Sequence, residues 1–190
     1  PSLDSLLMRY DTVGGGNQMK LWFTTNHDEN SWNGTEYEKY GDLAKALAVF
    51  SFTWDGIPLI YSGQELPNMK RLEFFEKDVI AWNGNYAMAD FYKTLTGLKT
   101  NNPALSAGDK NVRTYKMGTD HEKNALVYLR QNGAHEVFVM LNFTKENIDV
   151  KLNEDLLKGN YKNVFGGSSM DLSGKTSFHL DPWSYQVFEK

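Results

Sequence analysis

The spacing of apolar and polar residues divides the chain into two parts with different rhythms. In the first part the rhythm is mostly helical. Leu3, Leu6, Leu7 and Tyr10 recur at intervals of three and four and predict the end of a helix, stopped by Gly14-Gly15-Gly16-Asn17. Residues 20–25 are nearly continuous bulky residues and predict a strand buried on both faces. Over residues 36–54, Leu43, Leu47, Phe50 and Trp54 form an apolar stripe, with Ala44, Ala46 and Ala48 allowing close packing, and Asp55-Gly56 ends that helix. Ile57-Pro58-Leu59-Ile60-Tyr61 predicts a second strand, with Pro58 at its first position because proline cannot donate to a ladder. A polar loop over residues 62–85 leads to a helix marked by Met88, Phe91, Tyr92, Leu95 and Leu98 and closed by Asn101-Asn102-Pro103. Such alternation of helix and strand implies parallel strands joined by right-handed crossovers.

After Leu105 the apolar runs become short. Residues 125–130 and 136–142 flank Asn132-Gly133, a strong hairpin signal. Further runs at 148–152, 161–165, 176–180 and 185–188 are separated by Gly, Asn, Asp and Ser. The expectation is an α/β part over residues 1–105 and an antiparallel β-sandwich over residues 106–190.

Composition narrows the field of partners. The chain has 190 residues, 41% hydrophobic and 23% charged, enough for a buried core of ordinary soluble type. The net charge of -4 comes without a basic stripe, which argues against nucleic acid or an anionic membrane surface. No apolar run approaches the roughly 20 residues of a membrane span. There is no cysteine, so disulfides and thiolate metal sites are excluded, while the compartment stays open. The first residues lack both an initiator Met and the pattern of a signal peptide, and read as a cut inside a longer protein, so localisation is undetermined. Aromatic residues reach 14%; such rings fill cores and also serve as platforms for sugars.

In parallel α/β folds ligands gather at the carboxyl ends of strands. One such end carries Asn26, His27, Asp28 and Glu29, and the other Ser62, Gly63, Gln64 and Glu65. If the two strands are neighbours, Asp28 and Glu65 lie near one cleft, and paired carboxylates among aromatic rings are what glycoside hydrolysis requires. Spacing alone leaves a second reading open, in which Asn26 and Asp28 merely cap the next segment.

Phe23-Thr24-Thr25-Asn26-His27-Asp28 resembles the fourth conserved region of the α-amylase family (glycoside hydrolase family 13), where Asn-His-Asp ends the seventh strand of a (β/α)8 barrel. Residues 56–65, ending Gly63-Gln64-Glu65, are similar to the eighth strand and the turn after it. Residues 74–82 resemble the segment before the last helix, and residues 91–105 that helix and its exit. The β-rich tail, ending Pro182-Trp183-Ser184-Tyr185, resembles the family's C-terminal sandwich. The resemblance covers essentially the whole chain.

It implies specific roles. Asp28 would be the carboxylate that stabilises the transition state, by binding the flattened sugar ring better than the relaxed one. His27 would donate to a hydroxyl of the same sugar, Asn26 would support it with a hydrogen bond, and Gln64 and Glu65 would brace the cleft from the next strand. The partner is then an α-glucan, oligosaccharide or polysaccharide. A full barrel takes about 250 residues, so only its last two strands are expected, and the missing N-terminal barrel portion is a second expected partner. The family's nucleophilic Asp and acid Glu belong to earlier strands; Arg9 and Asp11 have neither their context nor their order. The chain alone is therefore expected to be inactive. No metal or other cofactor is expected within it, whereas calcium is possible in the longer protein.

Other readings remain at this point. The sandwich could be a carbohydrate-binding module or a purely structural one; Trp183, set among Phe178, Leu180, Val187 and Phe188, is expected in its core. Within the family, α-1,4-glucan hydrolysis, cyclomaltodextrinase- or neopullulanase-like cleavage, α-1,6 cleavage and glucanotransfer all share the same motif.

Overall fold

The computed structural model describes residues 18–190, together with Leu7 and Arg9. Apart from Leu7, which is helical and buried, the residues that predict the first helix and its glycine loop lie outside the described residues.

Strand β1 (Leu21–Trp22) pairs in parallel with β2 (Ile57–Pro58), as the alternating pattern predicts. Both are shorter than expected, and Pro58 stands second in its strand, opposite Trp22. The expected burial of β1 on both faces is not observed: Leu21 is 52% and Phe23 38% exposed. The two strands form a sheet of their own among the described residues, so no further strand covers the run. Gly56 makes the pairing possible. Its φ is +137°, and a Cβ there would stand 2.6 Å from both the Lys20 carbonyl oxygen and Trp22 Nε1. Only glycine admits that approach.

Between the strands run α1 (Glu36–Tyr40), a 3-10 turn (Gly41–Leu43) and α2 (Ala44–Thr53). Thr35 and Glu38 close a reciprocal capping box at the start of α1. The buried face of α2 differs from the predicted stripe. Ala44, Ala46, Ala48, Val49 and Phe52 are buried, whereas Leu43, Leu47 and Phe50 are only half-buried. The small side chains let the helix lie close to its neighbours, which displaces the larger ones toward its flank. Ser51 and Thr53 are buried on the same helix because their hydroxyls donate back to Ala48 O (2.8 Å) and Val49 O (2.7 Å).

Helix α3 (Ala89–Asn101) ends in a 3-10 turn (Pro103–Leu105), capped by the Asn102 side chain. Beyond it lie β3 (Arg113–Lys116), β4 (Ala125–Asn132), β5 (His135–Asn142), β6 (Ile148–Lys151), β7 (Asn160–Asn163), β8 (Ser169–Asp171), β9 (Ser177–Leu180) and β10 (Tyr185–Glu189). A six-stranded antiparallel sheet has the order β3-β4-β5-β10-β7-β8, and β6 and β9 form a separate pair. Strands β3 and β8 have no counterpart among the predicted runs, because they are short and exposed along their whole length. The hairpin turn contains Asn132-Gly133, as predicted, and is centred on Gly133-Ala134 with Gly133 at φ +60°.

The large sheet is buried on both faces. One face, with Leu126, Tyr128, Val137, Val139, Leu141 and Val187, packs on α2 and α3 through Ala46, Val49, Phe52, Tyr92 and Leu95. The other, with Val127, Leu129, Phe138, Met140 and Phe188, packs on Ile148, Val150, Phe178 and Leu180 of the β6–β9 pair. Arg130, 1% exposed, ties the sheet to the helical part: its guanidinium donates to Ala104 O, Thr114 Oγ1 and, at 3.1 Å, Asp55 Oδ1. Lys99 donates to Gly56 O at 2.8 Å in the same region, and burial, helped by the Arg130 charge, lowers its pKa to about 8.

Candidate functional site

The end of β1 is built around buried threonines. Thr24 and Thr25 are inside, and the chain then turns outward, so that His27 and Asp28 are both exposed. Asn26 Oδ1 accepts from the Glu29 backbone N–H at 2.8 Å, which caps the π-helical turn over Glu29–Asn33. Capping therefore accounts for Asn26. It does not account for Asp28, whose side chain makes no cap hydrogen bond. His27 Nε2 and Asp28 Oδ1 stand 3.6 Å apart with their side chains 69% and 58% exposed, so both groups are open to a ligand.

Gln64 lies behind this turn and is buried. Its Oε1 accepts from the Tyr61 N–H at 2.6 Å, which folds its own loop. Its Nε2 lies 2.9 Å from Thr24 Oγ1, 2.7 Å from Glu36 Oε2 and 3.0 Å from the Tyr92 hydroxyl, and donates to two of the three at a time. Thr24 also donates to Glu36 Oε2 at 2.5 Å. One amide thus links the end of β1, the start of α1, the loop after β2 and α3. Glu65 is engaged within its own loop: Oε2 accepts from the Gly63 N–H at 3.0 Å, and its carbonyl accepts from Met88 N.

Glu36 was not among the residues singled out from sequence, where it is simply an acid in the first turn of a helix. It is 3% exposed, and burial, the dominant influence, raises its pKa above the usual carboxylate value despite hydrogen bonds from Thr24 and Gln64. Its Oε1 and the Tyr37 hydroxyl are buried with no hydrogen-bond partner in the protein. Tyr37 nonetheless feels the Glu36 charge, which adds to burial in raising its pKa. A small polar cavity opens beside Glu36, lined by Thr25, Asn30, Tyr61, Ser62, Gln64 and Asn68.

A second loop packs beside the His27 turn. Asn30 Oδ1 accepts from the Leu72 N–H at 2.8 Å, and Ser31 Oγ donates to Leu72 O at 2.6 Å. This seats Phe74 against His27, with ring centroids 6.0 Å apart and planes 21° from parallel. Asp78 pins the loop, accepting from Lys70 and from the Glu73 and Val79 N–H groups; these donors, Lys70 foremost, hold its carboxyl down to about 2. Among the described residues no group of three or more His, Asp or Glu side chains is arranged to hold a metal. No helix among them is long and apolar enough to cross a membrane. Trp183 is neither deep in the core nor open: it is half-buried, with φ +54°, and its backbone N–H donates to Thr144 O at 2.9 Å.

Residues 117–187 match the family described as maltogenic amylase, C-terminal domain. Alpha-amylase MalA of Haloarcula japonica is 30% identical over 154 residues, which is 77% of this chain and 22% of that protein. Alpha-amylase 2 of Dictyoglomus thermophilum is 24% identical over 181 residues, 87% of this chain and 30% of that protein. The chain thus spans between a fifth and a third of the length of these relatives. Among solved structures, a noncanonic maltogenic alpha-amylase, AmyB, from Thermotoga neapolitana superposes over 100% of this chain and 46% of its own, with a TM-score of 0.81 at 20% identity. An alpha-amylase from Lactobacillus plantarum superposes over 98% of this chain and 42% of its own, with a TM-score of 0.74 at 20% identity. Together these likenesses support reading the chain as the C-terminal part of an α-amylase-family enzyme.

Proposed function

We propose that this chain is the C-terminal part of a retaining α-glucan hydrolase acting on α-1,4 linkages, in which residues 1–105 complete a (β/α)8 barrel and residues 106–190 form the sandwich that supports it. The observation that carries this reading is the exposed His27–Asp28 pair, held at a strand end by a buried amide from the neighbouring strand's loop. Asp28 binds the electron-poor, flattened sugar of the transition state, and His27 donates to a hydroxyl of the same sugar. Asn26 shapes the turn that presents them. Gln64 holds Thr24 two residues upstream, and Glu65 fixes the loop that carries Gln64. The sandwich is read as structural, because one face of its large sheet is occupied by α2 and α3.

Retaining hydrolysis needs a carboxylate nucleophile and a carboxylic acid on opposite sides of the scissile bond. No residue of this chain matches either, so the 190-residue chain by itself binds without cutting. Incubation of the pure chain with soluble starch is expected to release no reducing sugar; release proportional to protein concentration overturns that expectation. In the longer protein, Asp28→Asn is expected to lower kcat by about three orders of magnitude with a smaller change in KM, the pattern of an interaction made mainly in the transition state. An Asp28→Asn enzyme with unchanged kcat overturns the role given to Asp28.

A further inference from the structure

The segment 24–36 carries His27 and Asp28, and the helix that follows it, α1, holds that segment at two points. At its base, Glu36 Oε2 accepts from Thr24 Oγ1 at 2.5 Å and from Gln64 Nε2 at 2.7 Å, and all three side chains are buried. One helical turn later, Lys39 Nζ donates to Glu29 Oε2 at 2.9 Å. Thr24 and Glu29 bracket Asn26, His27 and Asp28. Between the two tethers the backbone closes on itself: the Asn26 carbonyl accepts from Asn30 N at 2.9 Å, beside the cap that Asn26 Oδ1 gives the Glu29 N–H. Asp28 has no tie of that kind. Its side chain makes no cap hydrogen bond, and its neighbour His27, 3.6 Å away, is exposed as well. The direction of its carboxylate is therefore inherited from the backbone that α1 holds.

Resting on the role given to Asp28 above, we propose that Glu36 and Lys39 are positioning residues, which together set where the Asp28 carboxylate points. Helix α1 is a firm anchor, because Thr35 and Glu38 close its first turn and Glu38 also accepts from Arg71 Nε at 3.0 Å. The two tethers differ in strength. A buried carboxylate that accepts two hydrogen bonds holds its donors firmly, and its removal takes an acceptor away from Thr24 and Gln64 inside the protein. The Lys39–Glu29 pair is partly open to solvent and contributes less. Small errors of placement matter at such a site: a displacement of about 1 Å costs up to about 100-fold in rate.

The test is a double-mutant cycle on kcat in the longer enzyme, pairing each α1 substitution with Asp28→Asn. Glu36→Ala is expected to lower kcat about tenfold with little change in KM, and Lys39→Ala about threefold. In the Asp28→Asn background neither substitution is expected to lower kcat further, because the group they position is already gone. A merely structural loss lowers kcat by the same factor in both backgrounds, so additive effects overturn the proposal, as does an unchanged kcat in both single variants. Glu36→Gln keeps an oxygen to accept from Thr24 and Gln64, and is expected to retain kcat within about twofold; a Glu36→Gln enzyme as slow as Glu36→Ala overturns the part given to that acceptor. Should Glu36→Ala fail to fold, the Lys39→Ala arm decides by the same outcomes. A second readout uses the 190-residue chain: the Asp28 backbone amide resonance is expected to move in Lys39→Ala and to return in Lys39→Arg, and a resonance unmoved in Lys39→Ala overturns the second tether. An Asp28→Asn enzyme with unchanged kcat is the separate failure, of the role of Asp28 itself, whereas a slow Asp28→Asn enzyme with additive effects fails the positioning alone.

Discussion

Strands β1 and β2 and strands β4 and β5 are written with similar bulky apolar residues, and they end in opposite environments. Leu126, Val127, Tyr128, Leu129, Val137, Phe138, Val139 and Met140 are all at most 3% exposed, because one sheet face meets α2 and α3 and the other meets the β6–β9 pair. Leu21 and Ile57 are 52% and 43% exposed, although each sits in a paired strand. Pairing satisfies a strand's backbone; only layers on both faces cover its side chains. The sheet finds both layers within this chain. Beside β1 and β2 the described residues supply no further strand, and at their carboxyl ends they present His27, Asp28 and a group of open rings. One region uses its apolar residues for stability, and the other leaves them open to solvent.

The sharpest way to break this contrast is to truncate a ring in each region. Phe138 is fully buried and packs against Phe178 and Phe188, with ring centroids 5.5 and 6.2 Å away. Phe138→Ala is expected to cost about 4 kcal/mol in urea unfolding. A loss below about 1 kcal/mol would show that the sheet is far looser than its burial indicates.

Gly56→Ala comes next. It sets a methyl group against the Lys20 carbonyl and demands a positive φ, so a loss of about 3 kcal/mol is expected. Its wild-type stability would mean that β1 and β2 contribute little to the fold.

Glu36→Gln tests the polar interior between the two regions. The folded-state pKa of Glu36 is raised above its unfolded value, so its favourable contribution is fully present below the unfolded pKa of about 4.3 and is lost as pH rises through the folded pKa. A neutral amide does not lose it, and its NH2 can face the unpartnered Tyr37 hydroxyl. The variant is expected to gain stability over wild type as pH rises from 4 to 8, reaching about 1 kcal/mol, the order of one unsatisfied buried polar atom. A difference in Tm that does not change with pH would refute this account.

Phe75→Ala completes the comparison with the smallest effect. The side chain is 82% exposed, so unfolding free energy is expected to change by less than about 0.5 kcal/mol.

Much of this was legible in the chain. The β4–β5 hairpin was readable because Val, Leu, Tyr and Phe run on either side of an Asn-Gly signal, and the turn contains that pair. The motif around His27 and Asp28 was readable as chemistry, because apolar Leu21, Trp22 and Phe23 stop abruptly at Asn26. Glu36 was not. An acid at the start of a helix is ordinary, and only the convergence of Thr24 and Gln64, from segments 12 and 28 residues away, makes its burial tolerable. The buried face of α2 was also misleading in one dimension: hydrophobicity favours Leu43 and Leu47, while close approach favours Ala44 and Ala48.

The sequence by itself determined the class of the longer elements, several of the positions where the chain must turn, and the kind of chemistry at Asn26, His27 and Asp28. These depend on local sterics, side-chain period and functional groups, which are properties of neighbours in the chain. Tertiary structure alone decided which apolar residues are covered, that Asn26 caps while Asp28 stays open, and that Phe74 and His27 share one surface. Those outcomes depend on contacts between segments far apart in sequence, which no local pattern records.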